Sequence, residues 1–221
     1  MSILFVLLTF LLILTVMYFR RPQEAAATLQ VAPARKLNAP AMLKHTSFDV
    51  PEDYAFHPGH TWVMDEGRQN ARVGIDAFAG NLFGKIDSIE IADLNRWVRQ
   101  GQKLCTVTRE GQSIDLLSPV EGVLISVNHE VLKDPNLIVD DPYKNGWLCV
   151  VKAPELSVNL KNLLRGPIVP AWMQNSLARV GAMLQQLNPA LAQDGGQPVK
   201  GLLFQMDSTT QQQLAKEFFL T

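Results

Sequence analysis

The chain reads as a mainly β protein, a sandwich or flattened barrel, with an N-terminal transmembrane helix and a small α-rich C-terminal extension. Three observations predict this. Tyr54 to Lys152 is a series of short apolar-alternating runs punctuated by Gly and Pro, the pattern of many short strands. Ser2 to Phe19 is apolar and carries no charge, proline or glycine. Val169 to Leu187 repeats apolar residues at three- and four-residue spacing, the period of an amphipathic helix. The domains expected are an anchor at 1–21, a linker at 22–50, a β domain at 51–166 and a helical extension at 167–221.

The anchor comes first. Ser2–Phe19 is close to the roughly 20 residues that cross a bilayer core. Tyr18 and Phe19 stand at its far end, where aromatic rings favour the interface, and Arg20 and Arg21 follow. A secretory signal peptide needs positive charge before the apolar run; here no Lys or Arg precedes it, although Ala25-Ala26-Ala27 is a small-residue stretch. The positive-inside rule puts Arg20, Arg21, Arg35 and Lys36 in the cytoplasm. A single-pass protein of the inner or cytoplasmic membrane follows, touching lipid through residues 2–19, with its bulk on the cytoplasmic side. Gln23 to Leu43, rich in Ala and Pro, reads as a tether.

In the β domain, Thr61 to Met64 reads as a strand closed by Asp65-Glu66-Gly67, and Ala71 to Ile75 as the next. Asp76 is placed to cap a short helix through about Leu82, because its side chain accepts from free backbone amides. Lys85 to Ile91 alternates as a strand. Arg99 to Gln102 is a turn, with strands at Lys103–Thr108 and Ser113–Leu117. Pro119 and Gly122 bracket a bend before Val123 to Val127. Glu130 to Asn136 is a short helix or turn, and Trp147 to Lys152 closes the set. Trp62, Trp147 and Phe83 are read as core anchors, and Gly74, Gly84, Gly101 and Gly122 as turn glycines.

In the extension, Met173, Leu177, Val180, Leu184 and Leu187 share a helix face with Trp172 beside them. Asp194 to Pro198 is a loop and Val199 to Met206 is expected as a strand. Asp207-Ser208 caps a final helix from Thr209 to Phe219, with Leu214 and Phe218 on its apolar face.

Composition excludes several classes. A net charge of -1 lacks the basic excess of a nucleic-acid binder. Cys105 and Cys149 form no spaced motif; their number allows one disulfide, but they read as buried free thiols of a reducing compartment. His57-x-x-His60 lacks further ligands at matching spacing, so no metal site is expected. No Gly-rich phosphate loop, GxSxG or HExxH motif occurs. Asp87, Glu90 and Asp93 read as a solvated edge rather than an acid–base pair. No catalytic residue, cofactor or small-molecule substrate is therefore expected.

The order of the motifs carries a family resemblance. His60-Thr61-Trp62-Val63, Val73-Gly74-Ile75-Asp76, Leu82-Phe83-Gly84-Lys85-Ile86 and Val98-Arg99-Gln100-Gly101-Gln102 come first. Asp115-Leu116-Leu117-Ser118-Pro119-Val120-Glu121-Gly122, Asn128-His129-Glu130, Pro135-Asn136-Leu137-Ile138, Asp141-Pro142-Tyr143 and Gly146-Trp147-Leu148 follow. Together they resemble the glycine cleavage system H-protein. The resemblance implies the hybrid barrel-sandwich fold of lipoyl and biotinyl carriers, with a modified lysine at a hairpin tip.

That lysine is missing at the expected position. The family's Ser-Val-Lys-Ala-like run, counted back from Ser118-Pro119-Val120, aligns with Arg109-Glu110-Gly111-Gln112, so Gly111 takes the lysine's place. Glycine has no amine to acylate, and the guanidinium of Arg109 is not acylated by this chemistry. No lysine occurs from Leu104 through Leu132; Lys103 is expected at the hairpin base and Lys133 in a later turn. The reading is a non-catalytic, unlipoylated, membrane-anchored adaptor whose domain docks subunits of a membrane protein complex. The alternatives are a regulatory decoy that binds lipoate-handling or glycine-cleavage enzymes, and a carrier that uses another lysine.

Overall fold

Apolar–polar alternation becomes antiparallel strands wherever one face can be buried. The computed structural model describes residues 42–43, 48, 50–187 and 200–221. The anchor expected at 2–19, most of the linker at 22–50, the loop at 194–198 and the side chains of Leu184 and Leu187 lie outside the described residues. No helix among the described residues is long and apolar enough to cross a membrane.

The chain runs β1 (Met42–Leu43), β2 (Val50–Pro51), β3 (Ala55–Phe56), β4 (Thr61–Gly67), β5 (Asn70–Ile75), α1 (Ala77–Phe83), β6 (Ser88–Ile91), β7 (Trp97–Val98), β8 (Lys103–Arg109), β9 (Gln112–Leu117) and β10 (Gly122–Val127). It continues through α2 (His129–Lys133), α3 (Leu137–Asp140), β11 (Trp147–Lys152), α4 (Leu156–Asn159), β12 (Leu164–Arg165), α5 (Ile168–Leu187), a 3-10 turn (Leu202–Gln205), α6 (Ser208–Leu214) and a π turn (Ala215–Phe219). A seven-stranded sheet in the order β12-β3-β4-β5-β11-β10-β7 faces a three-stranded sheet, β6-β8-β9, and β1 pairs with β2. The core between the two sheets includes Val73, Ile75, Leu104, Val107, Leu116, Leu124 and Val151. This is the mainly β sandwich that the sequence predicts, with its helical part at the C-terminal side.

Several local expectations are corrected. The strand from Thr61 runs on through Asp65-Glu66-Gly67, and the turn falls at Arg68 and Gln69, both at positive φ (55° and 65°). Two non-glycine residues hold that strained geometry because the Lys152 ammonium donates to the Arg68 carbonyl (2.5 Å) and Ala153 N to that of Gln69 (2.8 Å). Only Ser88–Ile91 of the expected Lys85–Ile91 strand pairs; Ile86 N instead donates to Asn136 Oδ1 at 3.1 Å. Of the strand expected at Val199–Met206, residue 199 lies outside the described residues, and Leu202–Gln205 form a 3-10 turn. There Leu202, Leu203 and Phe204 are buried in succession, which one face of a strand cannot provide. Gly74 and Gly122 are packing residues inside or at the start of strands rather than turn glycines. A Cβ on Gly74 would come within 2.4 Å of the Trp62 ring, and one on Gly122 within 2.1 Å of the Lys152 carbonyl. Trp62 and Phe83 are fully buried, whereas Trp147 is half-buried under the Arg72 guanidinium, 5.1 Å from its ring.

The C-terminal residues join the core. Val169, Met173 and Val180 of α5 are buried, as are Leu214, Phe218 and Phe219. Phe219 stacks on Phe83 with centroids 5.0 Å apart, and Phe204 lies 6.0 Å from the same ring. Asp207 caps α6 by accepting from Thr209 N (3.0 Å) and Thr210 N (3.1 Å).

Candidate functional site

The hairpin of β8 and β9 ends in a two-residue turn. Arg109 pairs with Gln112, and between them Glu110 and Gly111 both take positive φ, 49° and 79°. That is the twist-matched turn that lets two strands close tightly, and glycine is favoured in it. Glu110 N donates to Asp87 Oδ2 (2.7 Å), and the Thr108 and Ser113 hydroxyls lie 2.9 Å apart below. Gly111 is exposed, and a Cβ there would meet nothing within 4 Å. The position that the family resemblance assigns to the modified lysine is thus an open, solvent-facing tip without a side chain.

The lysines weighed as substitutes stand elsewhere. Lys103 is at the base of the hairpin, its ammonium 2.7 Å from Asp115 Oδ1, which also accepts from Thr106 Oγ1 at 2.8 Å. Lys133 lies on α2, 2.9 Å from Glu130 Oε1. Asp87, Glu90 and Asp93 are exposed.

His57 and His60 both have partners within the fold. His60 is buried at 1% exposure, its Nδ1 2.7 Å from Asp76 Oδ2. Its ring is sandwiched between Phe78 (4.1 Å) and Trp172 (4.4 Å). Asp76 Oδ1 accepts from Ala79 N (2.9 Å) and so caps α1, as the sequence predicts. His57 Nδ1 accepts from Gly59 N (3.0 Å); burial, and secondarily the charge of His60, hold its pKa below the usual histidine value. Among the described residues no group of three or more His, Cys, Asp or Glu converges on a metal position. Cys105 and Cys149 are free and buried. Burial above all pushes the Cys105 thiol up to about 12, and Cys149 is raised in the same way.

The remaining motifs resolve into clamps. Trp62 Nε1 donates to the Pro142 carbonyl (3.2 Å) and Tyr54 Oη to that of Tyr143 (2.7 Å). Asn128 Oδ1 accepts from Glu130 N, while its amide donates to the Asn145 and Trp147 carbonyls, both at 2.8 Å. Ser118 Oγ donates to the Val120 carbonyl (2.7 Å) and fixes the bend after β9. Residues 54–174 match the family described as glycine cleavage H-protein.

The chain belongs to the glycine cleavage H-protein family.

Relatives agree over the same region. The glycine cleavage system H protein of Aliivibrio salmonicida is 29% identical over 117 residues, which is 53% of this chain and 92% of the relative. That of Xylella fastidiosa is 33% identical over 114 residues, 51% of this chain and 87% of the relative. A crystal structure of the H protein from Mycobacterium marinum is similar at 26% identity and a TM-score of 0.44, covering 48% of this chain and 87% of that one. Residues 1–53 and 175–221 lie outside the H-protein match. The contributions of those outer residues, such as Phe218 beside Phe78 at 5.4 Å, carry no signal in the family motifs. Only the apolar spacing of Leu214 and Phe218 hints at them.

Proposed function

We propose that this H-protein domain acts as a non-catalytic docking module, held at a membrane by residues 2–19 and serving subunits of a membrane protein complex. The observation that carries the reading is Gly111 at the open hairpin tip, in a chain with no lysine from Leu104 through Leu132. A swinging carrier arm needs a primary amine on a flexible stem, and the tip offers none. The sandwich and its clamps are retained, which supports a role for the domain as a rigid surface. The charge-free run at 2–19 supports the anchor.

Purification of the full chain from detergent-solubilised membranes tests this. Stoichiometric co-purifying membrane proteins are expected. A monomer recovered in the soluble fraction without partners overturns the reading. A lipoyl ligase or a glycine-cleavage enzyme recovered as the stoichiometric partner would replace it with the decoy reading.

A further inference from the structure

Beside the end of β8 the tail and the barrel flank an open cleft of about 480 Å³. Its charged lining is uneven: Lys85, Arg109 and Lys200 against Asp140. Arg109 leaves the end of β8 and turns inward, with a side chain only 19% exposed. Its one carboxylate neighbour among the described residues is Glu110, 3.4 Å from Nε and itself 72% exposed. The two terminal nitrogens find no hydrogen-bond partner among the described residues. These nitrogens are not among the buried polar atoms that lack a partner, so they open onto the cleft, where an anion could accept from them.

The cleft is built, not incidental to a loop. Gly201 N donates to the Asn81 carbonyl (2.8 Å) and seats the tail on α1. A Cβ on Gly201 would come within 2.9 Å of Arg109 Nη1, so glycine allows the guanidinium to lie against the tail backbone. Asn136 fixes another wall by holding Ile86 N. Lys200 touches Asp140 at 3.4 Å, with 60% and 68% of the two side chains exposed. Such a surface pair is weak and leaves the ammonium able to turn towards a bound anion.

We propose that this cleft binds a phosphate group, as free phosphate or as a small phosphate monoester. The planar fork of Arg109 suits two phosphate oxygens at once, and Lys85 and Lys200 supply point charges. Three cations stand against Asp140 and, beside Arg109, the exposed Glu110, an excess of positive charge that suits an anion. This assignment goes beyond the docking role and does not depend on it: the cationic groups are those of Lys85, Arg109 and Lys200, not Gly111.

Calorimetric titration of the full chain with inorganic phosphate and with glycerol 3-phosphate, at ionic strength held constant with chloride, tests the site. Saturable one-site binding is expected. Because charge-assisted contacts are the strong ones, R109Q should weaken it by at least about tenfold. The double variant K85Q/K200Q, changed only at exposed side chains, should also weaken it, and K161Q should not. Tighter binding of the ester identifies a phosphate carried on a larger molecule; equal or weaker binding identifies the free ion. Heat no different from added chloride, or binding unchanged in both R109Q and K85Q/K200Q, overturns the proposal. Should R109Q fail to fold, the double variant decides.

Discussion

Gly84 and Gly201 meet backbone to backbone: a Cβ on Gly84 would come within 2.4 Å of Gly201 Cα. Gly84 ends α1 with φ 62° and ψ -129°, a conformation that glycine alone adopts readily. The contact joins the barrel to the tail and forms one end of the cationic cleft. G84A therefore meets both backbone strain and a clash. Gly101 is the internal control, with φ 78° and open space around its missing Cβ. G101A should cost about 1–2 kcal/mol from the left-handed backbone. G84A should cost at least about 2 kcal/mol more, from overpacking. Urea midpoints of the two variants check this; equal losses would mean that the tail yields without resistance.

Asp76 serves two partners at once, His60 Nδ1 through one oxygen (2.7 Å) and Ala79 N through the other (2.9 Å). D76A removes a helix cap, about 1 kcal/mol, and leaves a buried imidazole unpaired, about 1–3 kcal/mol. A total near 2–4 kcal/mol is expected. D76N keeps an oxygen at the cap, and asparagine caps as well as aspartate does. It should recover roughly the capping share. Chemical denaturation of both variants separates the two contributions, and indistinguishable losses would remove the cap from the account.

Much of the fold is legible in the sequence. The Asp76 cap, the Trp147–Lys152 strand and the hairpin with Gly111 at its turn follow from local rules of capping, alternation and turn chemistry, and those rules act within a few residues. What stays hidden depends on distant neighbours. Gly74 reads as a turn glycine until Trp62 lies across it, and Val199–Met206 reads as a strand until three successive side chains are all buried. The cleft shows the same limit. Arg109, Lys85 and Lys200 are far apart along the chain, and no motif spacing links them. Only the tail's seat on α1, fixed at Gly201, brings them to one wall.

His57 should make stability depend on pH. Burial, then the neighbouring His60, lowers its pKa in the folded state below 6.5. The unfolded chain therefore binds the proton more readily than the folded one. The sign is that stability rises with pH wherever the unfolded state holds more protons. The contribution is full above about 6.5, and it is lost as pH falls below that value, until the folded state also protonates. H57Q can still accept from Gly59 N through its amide oxygen but cannot titrate. Denaturation midpoints of the wild type and H57Q at pH 7.5 and 5.5 check the point. The wild type should lose more on acidification than the variant. A parallel loss in both would assign the acid sensitivity to other groups.

Gly111 gives the most direct test of what the tip has lost. It carries no side chain, faces solvent and has room for one, so G111K adds a lysine without a clash. The backbone is the only obstacle: φ of 79° costs a non-glycine residue about 1–2 kcal/mol, too little to unfold a domain of ordinary stability. Co-expression with a lipoyl ligase and lipoate, followed by intact-mass measurement, should leave the wild type unshifted and shift G111K by one lipoyl group. Modification of the wild type, mapped to any lysine, would make the chain a carrier and end the docking reading. A folded G111K that stays unmodified would mean that the loss extends past the lysine to the surface the ligase reads. In that case Arg109, drawn into the cleft from the adjoining strand, and Glu110, tied to Asp87 across the tip, are the residues to exchange next.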